Sequence, residues 1–367
     1  MKCLIVFSGN TISGAEYVLQ NYLRNTKYTN TEFLAICPDS KTKEFLVNSG
    51  LNPKNIFMSP FLSQLGVKKS KSFLKVLLLL TKIVLVMIGR ITVQILSMLK
   101  KVDVILGKNT YDCLYMPFIK GKKKVVLHIL DILDNSFTSN YIRKIIQKRI
   151  NTVIAASNEV KKSLGEKLKD KVVVIYNGIE TSNIHRQGDY ENKLVWIGSL
   201  EGRKNPLEFV EIIQNLVQNG VKIKGVMVYK YYEEEYSRII QDAVKDKDYI
   251  EIKHNIPRHS VIEEIKKSLA LVITSKVDPL PTVILESYSV GVPVISANRT
   301  GMREMVIQEK TGILYNSVDE IVSEWNKIFN FLTKQRDEIF ENIKSLVKKK
   351  FSTESFVKGI DEILFGS

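Results

Sequence analysis

The stretch ITSKVDPLPTVILESYSVGVPVIS, residues 273–296, decides the fold of this 367-residue chain. Its first residues close a β-branched apolar run, 269–274, that reads as a strand. A loop follows with Asp278, Pro279, Leu280 and Pro281, and a helix is expected over 282–289 with Glu286 one turn inside it. Residues 292–296 then read as the next strand. Strand, loop, helix and strand in this order form the βαβ unit of a parallel sheet, whose ligands sit at the carboxyl ends of the strands. Asp278 and Glu286, with seven residues between them, can therefore face one ligand, one from the loop and one from the helix. The fresh backbone N–H groups at the helix start, together with its dipole, suit a phosphate between them.

The same alternation extends in both directions. In the first half, strands are expected at 3–7, 32–37, 102–106, 125–128, 153–156 and 172–176, with helices at 15–25, 42–49, 141–148 and 158–168. After a polar stretch, 181–192, strands at 194–197, 224–228 and 269–274 alternate with helices at 206–218 and 233–244. Two such runs imply two doubly wound α/β domains with parallel sheets covered on both faces. The division expected is 1–180, 181–345, and a terminal helical segment, 346–367, packing back toward the N-terminal domain.

Residues 273–296 closely resemble the donor-site signature of the retaining glycosyltransferases of family four, the glycosyl transferases group 1, in which Glu-x(7)-Glu is followed by Ala-x-x-x-Gly-x-Pro-Val. Asp278 and Glu286 match the two acids, and Gly291, Pro293 and Val294 match the tail. The resemblance implies the GT-B fold: two Rossmann-like domains facing across a cleft, with a nucleotide-sugar bound by the C-terminal one and an acceptor by the N-terminal one. It puts Asp278 by the donor sugar and Glu286 on the ribose, with Leu280, Pro281, Thr282 and Val283 lining the donor site. Two departures are visible: Asp278 is one methylene shorter than the usual Glu, and Pro279 replaces the usual Gly and so removes an N–H.

The segment WIGSLEGRKNPLEF, residues 196–209, supports the same resemblance. Gly198 permits a tight turn, Pro206 suits a first helical position, and Arg203 and Lys204 are two cations at a helix start, where they oppose its dipole unless an anion is bound. The family has Gly-Arg-Leu and then a Lys, clamping the pyrophosphate. Lys204 matches that Lys, Ser199 stands in place of the Arg, and Arg203 is the candidate to replace it. In the first half, Ser13-Gly14-Ala15-Glu16 resembles the family's Gly-Gly-Ala-Glu, which brings Gly14 to the donor phosphate or the acceptor. His128, closing the run 125–128, resembles a strand-end His that faces the reacting sugar, although a strand-end His is also an ordinary structural feature. By this resemblance Asp278, His128 and Lys204 are the catalytic candidates. The turns Asn177-Gly178-Ile179-Glu180 and Thr300-Gly301-Met302-Arg303-Glu304 resemble family turns of structural role.

Charge separates the two halves. The chain holds 54 Lys+Arg against 39 Asp+Glu, a net of +15. Residues 1–180 carry 28 and 12 of these, so the excess belongs to the N-terminal half alone. No acidic residue lies between Glu44 and Asp103, while Lys68, Lys69, Lys71, Lys75, Lys82 and Arg90 are basic. A single-sign patch implies an anionic partner. Without the aromatic or glycine motifs of a nucleic-acid module, a membrane surface is the expected partner and nucleic acid is not; the family resemblance implies a lipid-linked saccharide as acceptor. The cationic amphipathic segment 66–101 contains an apolar run, 73–99, roughly 40 Å long as a helix. It reads as a helix buried on the domain core, as one lying in a bilayer interface, or as a span interrupted by Lys75, Lys82 and Arg90.

The three cysteines read as buried thiols of a reducing compartment. The short apolar run at the N-terminus is too brief for an export signal, so a cytoplasmic protein peripheral to the inner face of the membrane is expected. Asp246-Lys247-Asp248 has an Asp-x-Asp form but sits in a Lys-rich turn, and neither a zinc spacing nor a phosphate-binding glycine loop occurs; no metal or cofactor is expected. The function expected is transfer of a sugar, a UDP-sugar being the leading donor, with retention of configuration in surface polysaccharide biosynthesis. A nucleotide-sugar epimerase of the same fold and a non-catalytic membrane-docking partner of another transferase are the alternatives.

Overall fold

A computed structural model describes residues 1–9, 14–28, 30–62, 74–117, 123–181, 184–185 and 188–366. The chain forms two units, Met1–Asn177 with Thr353–Ser367, and Gly178–Ser352.

In the first unit the order is β1 (Lys2–Val6), α1 (Gly14–Asn25), β2 (Glu32–Cys37), α2 (Ser40–Asn48), β3 (Ile56–Met58), α3 (Leu74–Leu99), β4 (Val104–Gly107), β5 (Lys124–Ile129), α4 (Phe137–Arg149), β6 (Thr152–Ala155), α5 (Asn158–Leu164) and β7 (Val172–Val174). All seven strands are parallel, in the order β3-β2-β1-β4-β5-β6-β7. Successive residues of β1 serve opposite cores. Leu4 and Val6 pack with Ile142 and Ile146 of α4, while Cys3 and Ile5 pack with Leu19 and Tyr22 of α1. That period of two, apolar on both phases, is what a sheet covered on both faces requires. The three cysteines are buried and unpaired.

In the second unit the order is β8 (Lys193–Ile197), α6 (Pro206–Gln218), β9 (Lys224–Tyr229), α7 (Glu234–Val244), β10 (Ile250–His254), α8 (Arg258–Lys266), β11 (Ala270–Ile273), α9 (Thr282–Ser289), β12 (Val294–Ala297), α10 (Met302–Met305), β13 (Gly312–Tyr315), α11 (Val318–Ser323), α12 (Trp325–Lys334) and α13 (Arg336–Lys350). Its six strands are parallel in the order β10-β9-β8-β11-β12-β13. A last helix, α14 (Thr353–Phe365), belongs to the first unit. Phe356, Ile360 and Leu364 join the core on the α1 side, and Asp361 accepts from the Tyr22 hydroxyl at 2.7 Å and the Thr26 hydroxyl at 2.9 Å.

Some expected elements change. The helix read over 158–168 stops at Leu164, because Gly165 takes φ +85°, and a 3-10 turn, Glu166–Lys171, replaces the rest. Strands β3, β10 and β13 were not expected; each lies at or beside a sheet edge. The terminal segment read from 346 divides, since α13 runs to Lys350 in the second unit and only α14 packs in the first.

Candidate active site

In the second sheet β8 pairs with β9 on one side and β11 on the other, so the strand order reverses between β8 and β11. The loops leaving these two strands, 198–205 and 274–281, flank that switch point, where doubly wound sheets bind ligands. They are bound to each other by backbone and buried side chains. The Lys276 amide donates to the Arg203 carbonyl at 2.8 Å, and the Thr274 hydroxyl donates to the Lys204 carbonyl at 2.9 Å while accepting from the Trp196 indole at 3.0 Å.

Charged groups cluster on this frame. The Lys204 ammonium forms an ion pair with Asp278 Oδ2, and the Arg203 guanidinium lies 3.8 Å from the same oxygen and 2.9 Å from Glu201. Asp278 is almost wholly buried while Arg203 is half exposed, so the cluster is open on its cationic side. Asn205, in the left-handed region at φ +52°, turns the chain into Pro206 at the start of α6. Asn tolerates that conformation better than most residues. Ser199, where the resemblance has an Arg, donates its hydroxyl to Glu201 at 2.5 Å.

The backbone of Asp278 is fixed from a third loop. Thr300 Oγ1 accepts from the Asp278 amide at 3.1 Å and donates to its carbonyl at 3.0 Å, and the Gly301 amide donates to the same carbonyl at 3.0 Å. A Cβ on Gly301 would stand 1.9 Å from the Pro279 carbonyl oxygen, so only glycine fits. Arg299 completes the brace. Its guanidinium meets Glu208 at 3.1 Å, and Glu208 accepts from the Tyr315 hydroxyl at 2.7 Å.

The helix α9 opens beside Asp278 with Pro281 as its N-cap, so no side chain caps the first turn at Thr282 and Val283. Leu280 and Pro281 are buried and Thr282 and Val283 half-buried. Glu286 lies one turn further, paired at 2.9 Å with Arg258, the first residue of α8. Burial raises the Glu286 carboxyl above its ordinary value, and the Arg258 guanidinium opposes part of that rise. The second unit thus gathers Asp278, Lys204, Arg203, Ser199 and the start of α9 on adjoining loops, with Glu286 on the helix. An anionic group between cations and a helix N-terminus, beside carboxylates that accept from hydroxyls, is the ligand chemistry such a set can hold.

In the first unit, Gly14 opens α1 and is exposed, while Ser13 lies outside the described residues. His128, in β5, is buried with Nε2 unpartnered among the described residues. Burial, reinforced by the charge of Lys108, lowers its pKa well below the usual value and keeps the ring neutral. Lys68, Lys69 and Lys71 lie outside the described residues, as does the side chain of Lys75. Lys82 is half-buried on α3. Arg90 faces inward, donating to the Leu114 carbonyl at 2.9 and 2.8 Å. Asp246 and Asp248 are exposed in the turn before β10, and among the described residues no three His, Cys, Asp or Glu side chains stand together as a metal site.

The sequence reading did not single out Arg258, Arg299, Glu208 or Lys108. The signal available was position: Arg258 opens the helix α8 after β10, Arg299 lies in the loop that follows β12, and Lys108 immediately follows β4.

Comparison with known proteins bears on the second unit and on the fold. Residues 179–346 match the family model of the glycosyl transferases group 1. An uncharacterised glycosyltransferase of Methanocaldococcus jannaschii is 27% identical over 63% of this chain and 64% of its own length. A UDP-Gal:α-D-GlcNAc-diphosphoundecaprenol α-1,3-galactosyltransferase of Escherichia coli is 25% identical over 53% of each chain. These matches span roughly half to two thirds of the relatives' lengths. The Anabaena protein HepE, solved with UDP and glucose, superposes over 99% of both chains with a TM-score of 0.75 at 16% identity, a likeness of fold. The second unit is thus similar to the glycosyl transferases group 1 over residues 179–346, and the two parallel α/β sheets are those of the GT-B fold.

Proposed function

We propose that the protein is a retaining glycosyltransferase that moves a sugar from a UDP-sugar onto a lipid-linked saccharide in surface polysaccharide biosynthesis, working at the inner face of the cell membrane. The observation that carries the transferase reading is the joining of Lys204, Arg203 and Asp278 at the switch point of the second sheet, beside the start of α9. In the reaction the bond from the sugar C1 to the β-phosphate oxygen breaks and a bond from C1 to an acceptor oxygen forms. Positive charge grows on the ring and negative charge on the departing phosphate. Lys204, Arg203 and the first-turn amides of α9 stabilise that phosphate without reorganising. Asp278 accepts from sugar hydroxyls and Glu286 from ribose hydroxyls. Retention follows if the acceptor attacks the face the phosphate leaves, its proton passing to a phosphate oxygen.

The membrane part of the reading is supported by α3. One stripe of this helix packs inward through Val93 and Ser97, with Gly89 tight against the Phe61 carbonyl and the Tyr115 ring. The opposite stripe, Val84, Met87, Ile91, Ile95 and Met98, is half exposed or more. An apolar stripe in a chain half with net positive charge suits an anionic bilayer. Among the described residues Thr81–Leu99 is also long and apolar enough to cross a membrane.

Purified protein incubated with labelled UDP-glucose, UDP-galactose or UDP-N-acetylglucosamine and bacterial membrane lipid should extend the lipid-linked saccharide from at least one donor. Absence of product and of UDP binding across this panel would reject the reading. Release of an epimerised nucleotide-sugar without acceptor would favour the epimerase instead.

A further inference from the structure

The first sheet has its own switch point, between β1 and β4, where the strand order reverses. Lys108, the first residue after β4, lies there with 1% of its surface exposed, and its ammonium has no hydrogen-bond partner among the described residues. A buried ammonium without a partner is costly, and folds keep one only where something compensates. Asp112, four residues on, does not supply a bond. Asp112 accepts from the Ser8 amide at 3.0 Å, the Ser8 hydroxyl, the Lys108 amide at 2.6 Å and the Asn109 amide at 2.9 Å, which occupies its two oxygens. On the adjoining strand β5, His128 is equally buried and its Nε2 equally unpartnered. One unsatisfied nitrogen therefore lies just past β4 and another near the end of the neighbouring strand β5, at the carboxyl end of one sheet.

We propose that Lys108 binds hydroxyl groups of a neutral sugar residue at the carboxyl end of β4, with His128 Nε2 as the second polar contact. The class of ligand follows from charge. The charges of Glu16 of α1, Asp112 and Asp131 all act on the Lys108 ammonium, so a phosphate there is opposed by three carboxylates and favoured by one cation. A polyol brings oxygen acceptors for the ammonium and an O–H for a neutral imidazole, and adds no charge. The inference rests on the transferase reading and makes Lys108 a specificity residue for its saccharide substrate.

The test uses the full chain and its Lys108→Met variant, a neutral side chain of similar volume. Methyl glycosides of glucose, galactose and N-acetylglucosamine are titrated by saturation-transfer NMR, and UDP by calorimetry. At least one glycoside should bind the wild type and bind the variant tenfold or more weakly, the loss expected of a hydrogen bond from a charged donor, with UDP affinity unchanged. Burial brings the Lys108 pKa down to about 8, so glycoside affinity should fall as pH rises through that value in the wild type and show no such limb in the variant. The variant should still fold, with an unfolding temperature within about 4 °C of the wild type. Equal glycoside binding by both proteins, no glycoside binding while UDP binds, or preference of the site for inorganic phosphate would each overturn the proposal. So would a fall in unfolding temperature of more than about 4 °C, or failure to fold, because Lys108 would then be a structural charge. Failure of UDP to bind is the separate outcome that removes the transferase reading.

Discussion

At the scale of single residues, the ion pair between Lys204 and Asp278 sets two ligands in competition. A diphosphate and the Asp278 carboxylate both seek one ammonium, so Asp278→Asn should tighten UDP binding in calorimetry while lowering turnover about 10²–10³-fold. Weaker UDP binding by that variant would show that Asp278 does not restrain Lys204. Glu286 gives a pH prediction of definite sign. Its carboxyl pKa is raised by burial, so it stays protonated, and unable to accept from two ribose hydroxyls at once, to a higher pH than an exposed Glu. UDP affinity should therefore rise with pH through the range just above the ordinary Glu value, and Glu286→Gln should flatten the curve. Asp278, Glu286 and Lys204 were singled out in the sequence because the residues around them resemble a family signature carried on a strand, loop and helix pattern. Arg258 was not: its pairing with Glu286, 28 residues away, depends on how α8 lies against α9, which no local spacing encodes.

Among the elements, the Thr300-Gly301 turn shows how tightly the loop carrying Asp278 is built. Gly301→Ala must push the Pro279 carbonyl away and with it Asp278, so we expect a loss of transfer of about 10²-fold and of stability of about 2 kcal/mol, read by kinetics and urea unfolding. The sequence marked this turn as structural, and its hydrogen bonds to Asp278 give that role a purpose. For α3, changing Met87, Ile91 and Ile95 together to Ser should leave the fold intact, since all three are exposed, and should abolish flotation with anionic vesicles. Unchanged flotation would remove this helix from the membrane argument. Central strands such as β4, β5 and β11 were legible as apolar runs, because a strand buried on both faces needs apolar residues at nearly every position. The strand β10, IEIKH, escaped notice because an edge strand keeps polar side chains toward solvent and carries no such run. The broken helix at Gly165 shows the reverse error, a helical pattern cut by one residue with positive φ.

For the whole molecule, the charge that separates the two halves of the sequence nearly coincides with the structural division at Asn177 and Gly178. The proposed donor residues lie in Gly178–Ser352 and Lys108 and His128 in the other unit, so the two sets of substitutions should act independently on UDP and glycoside affinity. A chain ending at Ser352 should test this at the largest scale. Without α14, Tyr22 and Thr26 lose Asp361 and the core around Ile5 and Leu19 is uncovered, so the first unit should melt early and bind hydrophobic dye while UDP affinity persists. The place of α14 also has a consequence during synthesis. The first unit leaves the ribosome first, yet the helix that seals it follows the whole second unit, a wait of roughly 10–35 s at ordinary elongation rates. The domain made last is therefore the first that can fold to completion, and the one made first spends that interval with an apolar face open, the period in which a chaperone would be needed most.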